Sequence, residues 1–217
     1  MISILLATYN DEAYIREAVS SVLEQTYTEF ELLIGFNGTR DSSKEIISSI
    51  HDPRIRVFDY GDDKGKAKTL NKMLNETKGD CCAIQDGDDV WTPKKLEMQM
   101  NLSKSFDVIG TQIFYINAEG VPRGGPELAI HDRMIKEKSL KGDNQVANTS
   151  AIFRKNHAQD ISGWSEDLDG VEDFDFWLRL MKRNCHFVNL QTQEVYHRVH
   201  NRSNFNVNTY DIKKILH

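Results

Sequence analysis

Residues 80–93 read Asp-Cys-Cys-Ala-Ile-Gln-Asp-Gly-Asp-Asp-Val-Trp-Thr-Pro. A short apolar run ends abruptly in Asp86, Asp88 and Asp89. Carboxylates this dense at the end of a buried strand repel one another and call for a compensating cation. Hard divalent ions take oxygen ligands, so Asp86 and Asp88 are candidate ligands for Mg²⁺ or Mn²⁺. Such an ion would dock a diphosphate. The plainer reading is an acidic turn before a helix, with Thr92 as N-cap and Pro93 at the first helical position. It accounts for Asp89 to Pro93 but not for Asp86 directly on a strand end, so the metal reading is preferred. A second acidic pair, Glu172-Asp173, opens the run Val-Glu-Asp-Phe-Asp-Phe-Trp-Leu-Arg-Leu. Taken alone, that pair is what a helix first turn favours.

The elements that must position these groups follow from periodicity. Residues 2–8, 30–35, 55–60 and 80–85 read as strands. Helical spacing is found over 12–25 (Ile15, Ala18, Val19, Val22), 42–51 (Ile46, Ile47, Ile50) and 66–78 (Ala67, Leu70, Met73, Leu74). Strands alternating with helices predict an α/β fold, a mostly parallel sheet with helices on both faces. Ligands bind beyond the carboxyl ends of such strands. Tyr9-Asn10, Asn37-Gly38 and Asp86-Gly87-Asp88 all fall there. The second half is less regular. Helices are expected over 93–105, 128–141 and 172–183, strands over 108–116, 149–154, 186–190 and 194–199, and a Gly/Pro-rich loop over 117–127. A basic helix is expected near 212–216.

The chain has 217 residues, 39% hydrophobic and 28% charged, with net charge −6. These values suit one globular domain and exclude a nucleic-acid polymer as partner, since no basic stripe exists. Cys81, Cys82 and Cys185 show neither disulfide nor zinc spacing, which suggests a reducing, cytoplasmic setting. Residues 1–6 are too short, and lack the charged flank, for a signal peptide. No apolar run approaches ~20 residues, so no membrane span is expected. Peripheral contact with the inner face of a membrane stays open, and so does the oligomeric state.

The ordered set Ala-Thr-Tyr-Asn (7–10), Ala-Val-Ser-Ser-Val-Leu-Glu-Gln-Thr-Tyr (18–27), Phe-Glu-Leu-Leu-Ile (30–34), Gln-Asp-Gly-Asp-Asp (85–89) and Val171 to Leu180 resembles the inverting glycosyltransferases of family 2, which have the GT-A fold. The likeness spans nearly the whole chain. It implies a single GT-A domain, with 1–89 holding a nucleotide-sugar donor and 90–217 the acceptor and base. It also implies Mn²⁺ or Mg²⁺ and a saccharide or lipid-linked hydroxyl acceptor in surface polysaccharide synthesis. Carried over by position, Thr8, Tyr9 and Asn10 would meet the donor base and ribose. Asp86 and Asp88 resemble the two carboxylates of the DxD motif, Asp88 binding the cation. Asp173 resembles the catalytic base, with Glu172 beside it on the acceptor side. Trp177 and Arg179 would pack the helix that carries the base. His200 would complete the metal shell or meet the diphosphate, with an ordinary strand-end histidine as the alternative. Trp164 would stack on an acceptor sugar or belong to the core.

Two positions depart from the family pattern. Asn37 stands where an Asp usually reads the base, and an amide donates as well as accepts. A UDP-sugar remains the preferred donor. Leu70 stands where many members carry Arg. Lys64, Lys66 and Lys68 lie close by and would supply charge to the diphosphate, or form a solvated run. Two other classes compete. Asp86-Gly87-Asp88-Asp89-Val90 also fits the D-x-D-x-[TV] pattern of haloacid-dehalogenase-type phosphatases, with Asp173 and Asp175 as late acidic ligands. That motif normally follows the first strand, whereas here it follows the fourth. The third reading is an inactive sugar-nucleotide-binding module.

Overall fold

Residues 2–8 form the strand around which the molecule is built. The computed structural model describes residues 1–62, 65–168, 170–201 and 203. Every residue of β1 (Ile2–Thr8) is buried. Side chains alternate across a strand, so Ile2, Ile4 and Leu6 enter one core layer while Leu5 and Ala7 enter the other. β1 pairs in parallel with β2 (Phe30–Phe36) and with β4 (Cys81–Ile84), and β2 pairs in parallel with β3 (Ile55–Asp59). The connections are α1 (Ile15–Leu23), α2 (Ser43–Ser48) and α3 (Lys66–Glu76). Ile15, Val19 and Val22 of α1 cover the Ile2 face; Leu70, Met73 and Leu74 of α3 cover the Leu5 face. Strands buried on both faces need the near-continuous apolar runs seen here.

The remaining elements are β5 (Val90–Trp91), α4 (Lys95–Met100), β6 (Val108–Ile116), α5 (Asp132–Ser139), β7 (Ile152–Arg154), α6 (Lys155–Asp160), α7 (Glu172–Lys182) and β8 (Phe187–Arg198). A single 3₁₀ turn, Asn148–Ser150, precedes β7. The sheet order is β3-β2-β1-β4-β7-β6-β8-β5. β7 runs antiparallel to β4 and β6, β8 is parallel to β6, and β5 is antiparallel to β8. The parallel half predicted from sequence thus continues into a mixed half.

Four details differ from expectation. The two short strands over 186–199 are one strand, and shifts in its register with β6 at Thr111–Ile113 absorb the irregular middle. The stretch 149–154 begins as a 3₁₀ turn. Thr92 does not cap α4: its hydroxyl donates to Glu194 of β8, and the helix begins at Lys95. Pairing of Val90–Trp91 with β8 turns the Thr92 side chain to Glu194, while the Thr92 carbonyl accepts from Lys95 N–H at 3.2 Å. Helix α6 was not anticipated, because only Ala158 of it is buried and no apolar period marks it. Lys64 and the expected basic helix at 212–216 lie outside the described residues. Among the described residues, no helix is long and apolar enough to cross a membrane.

Candidate active site

The parallel strands β1, β2 and β4 end on one edge, which gathers the segments that follow them. Asn37 N–H donates to the Thr8 carbonyl at 3.3 Å, and the Thr39 hydroxyl donates to the same oxygen at 3.0 Å. Gln85 N–H donates to the Leu5 carbonyl at 2.9 Å, which delivers Asp86 to that edge. The end of β8 arrives from the other half of the sheet and closes over the acidic loop.

Each carboxylate of the loop has its own partner. Lys66 Nζ lies 2.5 Å from Asp86 Oδ1, and Asn148 Nδ2 lies 3.4 Å from the same oxygen. His200 Nε2 lies 3.0 Å from Asp88 Oδ2. Burial alone would raise the Asp88 carboxyl, but the His200 hydrogen bond and the charges of His197, His200 and Lys66 hold it below the ordinary range. Asp89 is fully buried and accepts from His197 Nδ1 at 2.9 Å and Arg198 N–H at 2.7 Å. Burial works against the His197 imidazolium, yet Asp89 and the other loop carboxylates push it up to about 9. Asp11 forms the floor. Burial and Asp88 push its carboxyl up to about 7, although the Thr8 hydroxyl at 2.8 Å and Tyr9 N–H at 3.3 Å donate to it. Gly87 passes so close to the Asp11 carboxylate that a Cβ would strike Oδ2.

The Asp88–His200 pair fits a divalent cation. Neighbouring ligands of an octahedral ion with bonds of ~2.1 Å lie ~3 Å apart, which is the separation of Asp88 Oδ2 and His200 Nε2. The Asp88 carboxylate suits Mn²⁺ or Mg²⁺, while the His200 imidazole nitrogen favours a transition-metal ion, and so Mn²⁺ over Mg²⁺. Asp86 is committed to Lys66 instead. Among the described residues, Asp107, His157 and Cys185 bring three ligand atoms within 4.8 Å of one another, which the Asp88–His200 pair does not. Arg154 Nε lies 3.3 Å from the same Asp107 oxygen that faces His157, so that carboxylate is already neutralised. This group ties the start of β6 to α6.

Helix α7 carries Glu172, Asp173 and Asp175 in its first turn, where the helix dipole favours negative charge. Asp173 Oδ1 accepts from Phe174 N–H at 2.8 Å. Burial and Glu172 push the Asp173 carboxyl up to about 7, against the pull of Lys66. Glu172 is buried and accepts from Gly170 N–H at 2.7 Å, so it shapes the turn before the helix. Burial opposes the Lys66 charge, but Asp86, Glu172 and Asp173 outweigh it and hold the ammonium above its ordinary value. Lys66 therefore links the acidic loop to the start of α7. Buried Phe176 and Trp177 anchor the helix, and Arg179 Nη1 donates to the Ile161 carbonyl at 2.8 Å.

Lys66, Asp86, Asp88, His200 and Asp173, read from sequence, are brought together. Lys66 is not part of a solvated run; Lys68 is half-buried on the same helix. The Thr8 hydroxyl is engaged by Asp11, Tyr9 is 48% exposed, and Asn10 adopts a φ of 58° while its Oδ1 accepts from Arg40 N–H at 2.8 Å. Asn37 is buried, and its Oδ1 has no partner. Of the two readings of Trp164, the structure takes the core one. The residue is 2% exposed and stacks on Phe176 at 4.4 Å, so it packs in the core and cannot offer a face to a sugar. Asp175, a late acidic ligand in the phosphatase reading, is engaged by Ser165 at 2.6 Å and Arg179 at 2.7 Å. Sequence reasoning missed Asp11 and Arg198. An acidic residue directly after Tyr9-Asn10 was a usable signal for the first.

A family model described as glycosyl transferase family 2 matches residues 3–161. The UDP-Glc:alpha-D-GlcNAc-diphosphoundecaprenol beta-1,3-glucosyltransferase WfgD of Escherichia coli is 35% identical over 85% of this chain and 71% of its own. S. aureus TarS 1–349, solved with UDP-GlcNAc, superposes with a TM-score of 0.81 at 20% identity, covering 95% of this chain and 61% of that one. A mannosyltransferase from Pyrobaculum calidifontis, solved with GDP-Man and Mn²⁺, gives a TM-score of 0.71 at 16% identity over 93% of this chain and 58% of that one. The chain thus spans about three fifths of these two solved chains and shares their GT-A fold. The match to the family model over most of the chain, with the acidic loop and α7 converging as described, makes this chain an enzyme of glycosyl transferase family 2.

Proposed function

We propose that this glycosyltransferase is metal-dependent and inverting, and that it moves a sugar from a UDP-sugar to a saccharide or lipid-linked hydroxyl in surface polysaccharide synthesis. The observation that carries this reading is Asp173, a carboxyl raised to about 7 beside the Lys66–Asp86 pair. A general base works best with a pKa near the working pH. Asp173 accepts the proton of the acceptor hydroxyl as that oxygen attacks the anomeric carbon. Lys66 holds Asp86 in place and adds positive charge on the diphosphate side. Asp88 and His200 would hold the cation, which when bound would supply positive charge to the departing nucleoside diphosphate. Asn37 offers a buried, unpartnered Oδ1 at the end of β2, an acceptor that a base N–H would satisfy. Thr8, Tyr9 and Asn10 line the same edge, and Lys68 lies two residues after Lys66 on α3, about 200° round the helix. Residues 1–89 form the donor half and 90–217 the acceptor and base half. Glu172 supports the acceptor side through the turn at Gly170.

The donor choice draws on WfgD, whose name specifies UDP-Glc and a diphosphoundecaprenol-linked acceptor. A lipid-linked acceptor would place the enzyme in the cytoplasm, peripheral to the inner face of the membrane. The test is thermal stabilisation by UDP, GDP, CDP and dTDP, each with Mn²⁺ and with EDTA. One-site linkage gives about 2.7 kcal/mol at a hundredfold excess over Kd. UDP with Mn²⁺ is expected to stabilise most. Stronger stabilisation by GDP overturns the donor assignment, and equal stabilisation in EDTA overturns the metal dependence.

A further inference from the structure

Arg198 is 2% exposed, and its guanidinium is surrounded by acceptors from distant segments. Nε donates to the Asp88 carbonyl at 2.8 Å. Nη1 donates to the carbonyls of Asn117 at 3.2 Å and Ala118 at 3.1 Å. Nη2 reaches Glu17 Oε2 of α1 at 2.6 Å. The guanidinium carbon lies 4.6 Å from the centre of the Tyr14 ring, and that ring lies 4.9 Å from the His200 ring. The Arg198 backbone N–H goes to Asp89. One buried fork thus grips the backbone of Asp88 and, through Tyr14, packs against His200.

We infer that Arg198 is a positioning residue that sets the approach of Asp88 to His200 and so tunes affinity for the divalent cation. This rests on the metal reading above. Asp88 and His200 are 112 positions apart in the chain, so their 3.0 Å contact must be imposed by packing. Arg198 contacts the Asp88 backbone directly and, through the Tyr14 ring, the His200 ring. It touches neither ligand atom, and its effect passes through the Asp88 carbonyl and the Tyr14 ring. The planar fork serves four acceptors in fixed directions; a lysine ammonium cannot reproduce that geometry. The contacts to Asn117 and Ala118 also tie the start of the 117–127 loop to the same point.

The test is Mn²⁺ affinity of the donor-free protein, read by paramagnetic resonance of free Mn²⁺, for wild type, Arg198→Lys and Glu17→Gln. Loss of the groups that orient metal ligands typically costs about 10–100-fold in metal affinity. Arg198→Lys is expected to weaken Mn²⁺ binding by about tenfold or more, although its charge is kept. Glu17→Gln, at a 59% exposed side chain, is expected to weaken it in the same direction and by less than Arg198→Lys, with an unchanged melting temperature. Folded Arg198→Lys that binds Mn²⁺ within twofold of wild type overturns the inference. If Arg198→Lys does not fold, Glu17→Gln decides: unchanged affinity overturns it. Wild type that binds no Mn²⁺ overturns the metal reading and this inference with it, and is told apart by failing before either variant is compared.

Discussion

Replacing Asp173 by Asn should remove activity and raise stability, in a pH-dependent way. The Asp173 carboxyl rises from an ordinary 3.8 to about 7 in the fold, first through burial and then through Glu172. At about 1.36 kcal/mol per pKa unit, keeping it ionised costs the folded state up to about 4 kcal/mol. The folded chain binds this proton more tightly than the unfolded chain does. Stability from this group is therefore full below about pH 4 and is lost as pH rises towards 7. Asn carries no charge and still accepts the Phe174 N–H through Oδ1. Asp173→Asn should thus melt higher than wild type at pH 8, by roughly 10 °C for a domain of this size, and the gap should close towards pH 4. In the same protein the transfer rate should fall by about 10²–10⁴-fold. Melting curves at pH 4, 6 and 8, alongside a transfer assay, check both. A variant less stable than wild type at pH 8, or one that transfers normally, refutes the reasoning. A dead Glu172→Gln beside an active Asp173→Asn would move the base by one residue.

Lys66→Met removes the cation that pulls the Asp173 carboxyl down, so the acid limb of the pH–rate profile should move to higher pH. It should also weaken nucleoside diphosphate binding by about 1.5–3 kcal/mol, the worth of a charged hydrogen bond, measured by calorimetry. Gly87→Ala drives a methyl into the Asp11 carboxylate and should cost about 1–3 kcal/mol in denaturant titration. Trp164→Ala should cost about 3–5 kcal/mol of stability, while Trp164→Phe should leave the acceptor KM unchanged. A raised acceptor KM in Trp164→Phe would return that residue to the acceptor site.

The donor half was legible because its signals are local. Continuous apolar runs and helical spacing mark β1 to β4 and α1 to α3, and parallel connectivity follows from their alternation. The acceptor half was not, for identifiable reasons. Gln191, Thr192 and Gln193 are exposed in the middle of β8, and their polarity reads as a turn between two strands. Strand β5 has two residues and no period to detect. Asp86, Asp88 and Asp173 were found through an ordered set of motifs, and His200 as the late histidine that the family resemblance implies. The partners that set their chemistry were not. Lys66 stood in a lysine run that also reads as solvated, and only the fold places it against Asp86. Arg198 looked like an ordinary strand residue. Its bond to Glu17 spans 181 positions, a relation no local pattern carries. Trp164 shows the converse, since its polar neighbours Ser162, Ser165, Glu166 and Asp167 give no sign of the aromatic cluster it forms with Phe153 and Phe176.

The central claim is a single displacement at the anomeric carbon assisted by Asp173 and a divalent cation. Water can stand in for the acceptor, so the direct measurement is proton NMR of the first sugar released from an α-linked UDP-sugar, taken before mutarotation. The account predicts that the β-anomer is released first, that EDTA abolishes the release, and that Asp173→Asn slows it by at least about a hundredfold. Release of the α-anomer first, or an unchanged rate in Asp173→Asn, contradicts it.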